Sequence, residues 1–363
     1  MFSLIQQSSS FTLLLAPPAW GKTRLILAVF AQQQRPILFI APLKAVAWQF
    51  YQSATQENFP AFFPQSRSEV QKFWPCFQRK AAAFWIITLE RLEEFMLVPA
   101  TPTAQNGGVL PLIVLDEFHL YYQWGDDFRP IMWEKAMLCG NSGLPILGLS
   151  GTMSDDYLQR WRQDFKEVCQ TLTVLNLGNF VLKFWPQKVT IFPQMMGAAF
   201  KRRWMAEVLA AKKRGTPFTL LYFCPYREEV DHWLDFCHRW GIKALGCVGG
   251  KVDQFMEKLA LGRPECIFST IALGHGVNLP PIDQVYLGLA LPTAASWWQM
   301  VGRGGRRGEQ FQLFCLGRPP AGVLNAALPS SIFGRWRLRA NFCQAYFYDC
   351  WLRWKLWWYP RPR

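Results

Sequence analysis

The chain has 363 residues, room for two domains of ordinary size. Lysine and arginine exceed aspartate and glutamate by 39 − 25 = 14. That field favours a polyanionic partner, nucleic acid first and an anionic membrane second, beside the plainer reading of a basic enzyme. The ten cysteines include no Cys-x-x-Cys pair, so neither a zinc site nor a disulfide framework is expected, and the expected compartment is a reducing cytoplasm. No basic-then-apolar leader opens the sequence, and no apolar run approaches the roughly 20 residues of a membrane span.

Short apolar runs alternate with helix-length amphipathic segments, a pattern of parallel α/β sheets. In the first half the expected strands are Thr12–Leu15, Ile37–Ala41, Phe84–Thr88, Leu112–Leu115 and Ile146–Leu149. Directly after the first comes Ala16-Pro17-Pro18-Ala19-Trp20-Gly21-Lys22-Thr23, followed by a helix-like segment from Arg24 to Gln33. This is a Walker A loop with Ala16 in place of the usual first glycine. In such a loop the backbone N–H groups cradle phosphates, Lys22 reaches the β- and γ-phosphates, and the Thr23 hydroxyl takes Mg²⁺. The chain starts too close to this loop for Gln6 or Gln7 to read adenine, so strict selectivity for ATP is not expected.

Ala41-Pro42-Leu43-Lys44-Ala45 closes the second strand, and Thr88-Leu89-Glu90-Arg91-Leu92 the third. Both bring amides, hydroxyls and a cation to a helix start, which suits strand phosphates as well as it suits simple capping. At the end of the fourth strand stand Asp116 and Glu117, where open α/β sheets place their ligands. Asp116 can hold Mg²⁺ through its water shell and Glu117 can orient or deprotonate a water; an Asp-Glu helix cap is the bland alternative. Ser150-Gly151-Thr152 ends the fifth strand, with hydroxyls that could link a nucleotide site to a nucleic-acid site.

The pattern breaks from Asn179 to Pro193, and a basic helix is expected from Lys201 to Arg214. A second alternating block follows, with strands Phe218–Phe223, Ile242–Leu245, Cys266–Ser269, Gln284–Leu287 and Phe311–Leu316. Residues 269–280 form a strand end and a Gly-rich loop containing Thr270, Gly276 and Asn278. Gln299-Met300-Val301-Gly302-Arg303-Gly304-Gly305-Arg306 then sets two arginines three apart among glycines, fit to face a phosphate held between domains as arginine fingers. The expected domains are 1–178, 179–318 and a basic aromatic extension over 319–363. That extension could cover the second domain, touch nucleic acid or dock a partner protein.

In order and interval, these segments resemble the motor of superfamily 2 helicases and translocases. The RecQ-like branch fits best, because Gln123-Trp124-Gly125-Asp126-Asp127-Phe128-Arg129-Pro130 is similar to its aromatic-rich loop, with Asp126 where a histidine is usual. The resemblance implies two tandem RecA-like domains, parallel sheets flanked by helices, with a short C-terminal helical extension. It implies ATP and Mg²⁺ as cofactors, with Lys22, Asp116, Glu117, His119, Gln299, Arg303 and Arg306 catalytic. Pro17, Pro18, Ala19, Trp20, Gly21, Thr23, Arg24, Gly276 and Asn278 would lie around the nucleotide.

Single-stranded or forked DNA would meet Lys44, Thr88, Arg91, Trp124, Phe128, Arg129 and Thr270, with 3′→5′ movement and RNA left open. Trp124 and Phe128 offer stacking faces and Arg129 a phosphate contact, although packing under the sheet edge would also account for the two rings. The branch's zinc and winged-helix modules are not expected here, since only about 45 residues follow the second domain. The chain could therefore be a nucleic-acid-stimulated ATPase that recruits or loads other proteins in a mobile-element or phage-defence complex.

Overall fold

A computed structural model describes residues 3–78, 81–95, 110–127, 129–274, 277–291, 293–320 and 323. The chain divides into two compact units, Met1–Val181 and Leu182–Arg363.

The first unit is built on a seven-stranded sheet of order β3-β4-β2-β5-β6-β1-β7. Its strands are β1 (Ser10–Leu15), β2 (Ile37–Ala41), β3 (Ala61–Phe62), β4 (Phe84–Thr88), β5 (Leu112–Leu115), β6 (Ile146–Ser150) and β7 (Thr171–Asn176). Every pairing in it is parallel. β1, β2, β5 and β6 are buried along their whole length, which is why they read as unbroken apolar runs rather than alternating ones. Successive residues still serve opposite faces: Leu13 and Leu15 join a core with Phe118 and Trp161. Leu14 and Ala16 join another with Val29 and Phe50. The helices that cover these faces are α1 (Lys22–Gln33), α2 (Lys44–Gln56), α3 (Arg67–Gln78), α4 (His119–Asp127), α5 (Ile131–Gly140) and α6 (Asp155–Phe165).

The second unit carries a six-stranded sheet of order β10-β11-β9-β12-β13-β8. Its strands are β8 (Lys188–Phe192), β9 (Leu220–Phe223), β10 (Ala244–Cys247), β11 (Cys266–Ser269), β12 (Gln284–Leu287) and β13 (Gln312–Leu316), again all parallel. Its helices are α7 (Gly197–Arg214), α8 (Arg227–Arg239), α9 (Val252–Ala260) and α10 (Ala294–Val301). On one face Tyr222, Tyr286 and Phe314 stack across neighbouring strands, with centroids 6.2 Å and 4.4 Å apart. Trp204 of α7 closes over Phe268 and Trp233 on the same side.

Three edge strands depart from the expected five in each half. β3, β7 and β8 alternate or are only half-buried, so they lack the continuous apolar signal of the central strands. β8 in particular runs through the stretch expected to be irregular. β10 begins two residues later than expected, because Ile242 is tied back to the end of α8, its N–H donating to the Cys237 carbonyl at 2.8 Å. α1 starts at Lys22 rather than Arg24, and α7 at Gly197 rather than Lys201. The segment resembling an aromatic-rich loop is a helix, α4, as far as Asp127. Phe128, Gly276 and residues 324–363 of the expected extension lie outside the described residues.

Candidate nucleotide and nucleic-acid site

β1, β6 and β5 lie side by side, and the segments leaving their carboxyl ends supply one cluster. The loop after β1 turns on two left-handed residues, Ala19 (φ 60°) and Gly21 (φ 110°). A side chain at Gly21 would meet nothing within 4 Å, so the approach to its backbone is open. Lys22 opens α1 with its ammonium over the loop, donating to the carbonyls of Ala16 at 3.1 Å and Pro17 at 3.5 Å. Pro17 is buried, Pro18 half-buried, and Trp20, Thr23 and Arg24 are exposed. Gly151 leaves no spare room beside this loop, since a Cβ there would sit 3.2 Å from the Ala16 carbonyl oxygen and 3.6 Å from Lys22 Nζ.

Asp116 follows β5, its N–H donating to the Ile40 carbonyl at 3.0 Å. Burial, and then the adjoining Glu117 carboxylate, push its carboxyl up to about 7 against the downward pull of Lys22 and of a backbone hydrogen bond from Glu117. Two carboxylates forced together beside one lysine suit a divalent cation, which would relieve their repulsion. Asp116 and the Thr23 hydroxyl are oxygen donors of the type Mg²⁺ takes. Glu117 is held at φ 46°, left-handed backbone that residues other than glycine seldom adopt.

His119 begins α4 and is buried. Burial, helped by Lys22 and opposed by Glu117, pushes its imidazole down to about 4, so it is neutral near pH 7. Its Nδ1 lies 3.1 Å from Ser150 Oγ and 3.7 Å from Glu117 Oε2. Ser150 Oγ also accepts from the Thr152 N–H at 3.2 Å. A continuous contact therefore runs from the acids on the β5 side to the Ser-Gly-Thr turn after β6.

Of the residues expected to meet a strand, Lys44, Thr88 and Arg91 follow or end the neighbouring strands β2 and β4. Lys44 is the exposed first residue of α2, and Thr88 is half-buried at the end of β4. Arg91 donates through Nη2 to the Gln65 carbonyl. Trp124 is half-buried on α4 and packs against the first core, so the packing alternative accounts for at least one of its faces. Arg129 lies over the Trp124 ring, 5.8 Å from its centroid, and pairs with Glu90. Burial lowers the Arg129 pKa from its usual value. Asp126 makes a bidentate pair with Arg160 of α6, at 2.5 Å and 3.0 Å. Nothing in the spacing of Glu90 or Arg160 marks them as partners, because each lies more than 30 residues from the residue it pairs with.

In the second unit, Arg303 is buried and Arg306 half-buried, and their Nη1 atoms donate to one acceptor, the Val277 carbonyl, at 2.6 Å and 3.1 Å. Arg306 Nε adds a bond to the Gly302 carbonyl at 3.2 Å. Gly304 is required here, since a Cβ would come within 2.4 Å of the Phe311 ring. Gln299 is half-buried on α10, Asn278 is exposed beside Val277, and Thr270 is half-buried at the end of β11.

Residues 2–160 match the DEAD/DEAH box helicase family. The match lies within the first unit. Among curated relatives, the RecQ-like DNA helicase BLM of Xenopus laevis is 22% identical over 284 residues, covering 75% of this chain and 20% of that protein. The ATP-dependent DNA helicase RecQ of Bacillus subtilis is 22% identical over 250 residues, covering 67% of this chain and 40% of that protein. The chain thus spans well under half the length of either relative.

In fold, the two units resemble the DEAD-box helicase Mss116 bound to single-stranded RNA and UDP-BeF, with TM-score 0.65, 13% identity, and 94% and 75% of the two chains covered. Dbp5 of S. cerevisiae bound to RNA and ADP-BeF3 gives TM-score 0.62 at 13% identity, covering 93% and 85%. Both units are therefore RecA-like α/β domains, with parallel sheets flanked by helices. Among the described residues, no helix is long and apolar enough to cross a membrane.

Proposed function

We propose that this chain is an ATP-hydrolysing superfamily 2 motor of RecQ-like type that moves 3′→5′ along single-stranded DNA. The observation that carries the reading is the cluster at the ends of β1, β6 and β5, where Lys22 and Glu117 both act electrostatically on Asp116 and His119 links the acids to Ser150. The Walker loop amides and Lys22 bind the triphosphate, with Pro17, Pro18, Ala19, Trp20, Gly21 and Arg24 forming the loop around it. Thr23 and Asp116 hold Mg²⁺, which when bound offsets charge on the phosphate oxygens. Glu117 orients the attacking water and takes its proton. Gln299, Arg303 and Arg306 respond to the charge that develops on the transferred phosphoryl group, and Gly276 and Asn278 take part in nucleotide binding. Lys44, Thr88, Arg91, Trp124, Phe128, Arg129 and Thr270 meet the strand, and the chain's excess of cations supports a polyanion there.

DNA is favoured over RNA because the relatives similar in sequence are named DNA helicases. RNA is the second reading, supported by the RNA-bound proteins that share the fold. ATP turnover measured without nucleic acid, with a DNA oligonucleotide and with an RNA oligonucleotide of the same sequence tests both. Stronger stimulation by DNA is expected; stimulation by RNA alone would reverse the assignment, and no turnover under any condition would end it.

A further inference from the structure

Three aromatic rings cluster on the first unit, outside every segment assigned above. Trp48 and Tyr51 stand on α2 with ring centroids 5.4 Å apart and planes 27° from parallel. Phe63, just beyond β3, lies 6.2 Å from Trp48 and 6.3 Å from Tyr51. Tyr51 and Phe63 rest on the core, whereas Trp48 is 43% exposed. Lys44, Trp48 and Tyr51 follow the i, i+4, i+7 spacing of one helix face, so the cation heads the same stripe as the rings. On the other flank, Arg91 is bonded to the carbonyl of Gln65, two residues after Phe63. The rings are thus joined to both cations expected to meet strand phosphates, to Lys44 through α2 and to Arg91 through the segment after Phe63.

We infer that Trp48, seated on Tyr51 and Phe63, is a stacking platform for a base of the single strand whose phosphates Lys44 and Arg91 engage. Aromatic faces alternating with cations are the chemistry of sequence-tolerant single-strand binding. The two rings beneath fix the indole in place, so little of its freedom is lost when a base settles on it. A platform set beside the motif contacts would lengthen the grip on the strand while leaving the nucleotide chemistry untouched. This inference rests on the strand-handling function proposed above.

The test uses the full chain carrying Trp48→Ala or Trp48→Phe, with thermal unfolding to confirm that both remain folded. Binding of a fluorescent single-stranded oligonucleotide is read by anisotropy, alongside ATP turnover as a function of oligonucleotide concentration. For Trp48→Ala we expect about tenfold weaker binding and a matching rise in the half-maximal oligonucleotide concentration, the range for one lost stacking contact. Turnover without oligonucleotide and maximal turnover with it should be unchanged, and Trp48→Phe should recover most of the affinity. Equal affinities for wild type and Trp48→Ala, with wild-type turnover still stimulated, would overturn this inference alone and point to a protein-docking surface. Wild-type turnover that ignores every oligonucleotide would overturn the proposed function with it.

Discussion

Glu117 and Ala19 both occupy left-handed backbone without being glycine, and both border the proposed triphosphate site. The strain at Glu117 aims a carboxylate beside Asp116, and conformations of this kind persist where the surroundings over-determine them. Glu117→Gln keeps the shape and removes the base. Turnover should fall by at least about a hundredfold, the usual contribution of a positioned base, while a fluorescent ATP analogue binds as before. Normal turnover in this variant would remove Glu117 from its proposed role. Ala19 carries no reactive side chain, so Ala19→Gly should keep the loop's backbone and relieve up to about 1 kcal/mol of strain. Thermal denaturation should show unchanged or raised stability; a clear loss would mean that the alanine methyl packs usefully.

Among elements, α4 shows how much could be read from the chain and how much could not. Asp116, Glu117 and the aromatic run were legible because one apolar strand leads straight into them. The restraints on α4 were not, since Asp126–Arg160, Tyr122–Asp164 and Arg129–Glu90 join residues brought near only by folding. The central strands were legible as unbroken apolar runs, and the edge strands β3, β7 and β8 were hidden by their half-exposed residues. The arginine motif was visible too, but not the shared carbonyl of Val277, 26 residues from Arg303, that orients both guanidinium groups. The Trp48 cluster is hidden in the sequence for a related reason: its spacing from Lys44 is legible, while the rings supporting it span two elements.

Two predictions belong at this scale. Arg160→Ala removes an exposed bidentate pair, which should cost under about 1 kcal/mol of stability. Its larger effect should be weaker stimulation of turnover by DNA with unchanged basal turnover, because α4 loses a restraint; full stimulation would show that the pair is only structural. Gly304→Ala forces a methyl against Phe311 and should destabilise the second unit by about 1–3 kcal/mol. Turnover should fall as the arginine turn shifts, while nucleotide binding through the first unit persists.

For the whole molecule, the two units have separate sheets and separate cores. A fragment comprising residues 1–181 should unfold cooperatively and retain nucleotide affinity without turnover, because Gln299, Arg303 and Arg306 are missing. Calorimetry together with a nucleotide titration checks this, and a fragment that hydrolyses ATP unaided would contradict the roles proposed for those residues.

The placement of β1 also bears on how the protein is made. Residues 10–15 pair only with β6 and β7, that is, with residues 146–150 and 171–176. An apolar ribbon that precedes the rest of its own unit must wait for nearly the whole unit to be synthesised before either neighbour exists. Throughout that interval it is a natural ligand for chaperones, and expression that outruns them should yield aggregates seeded by this stretch.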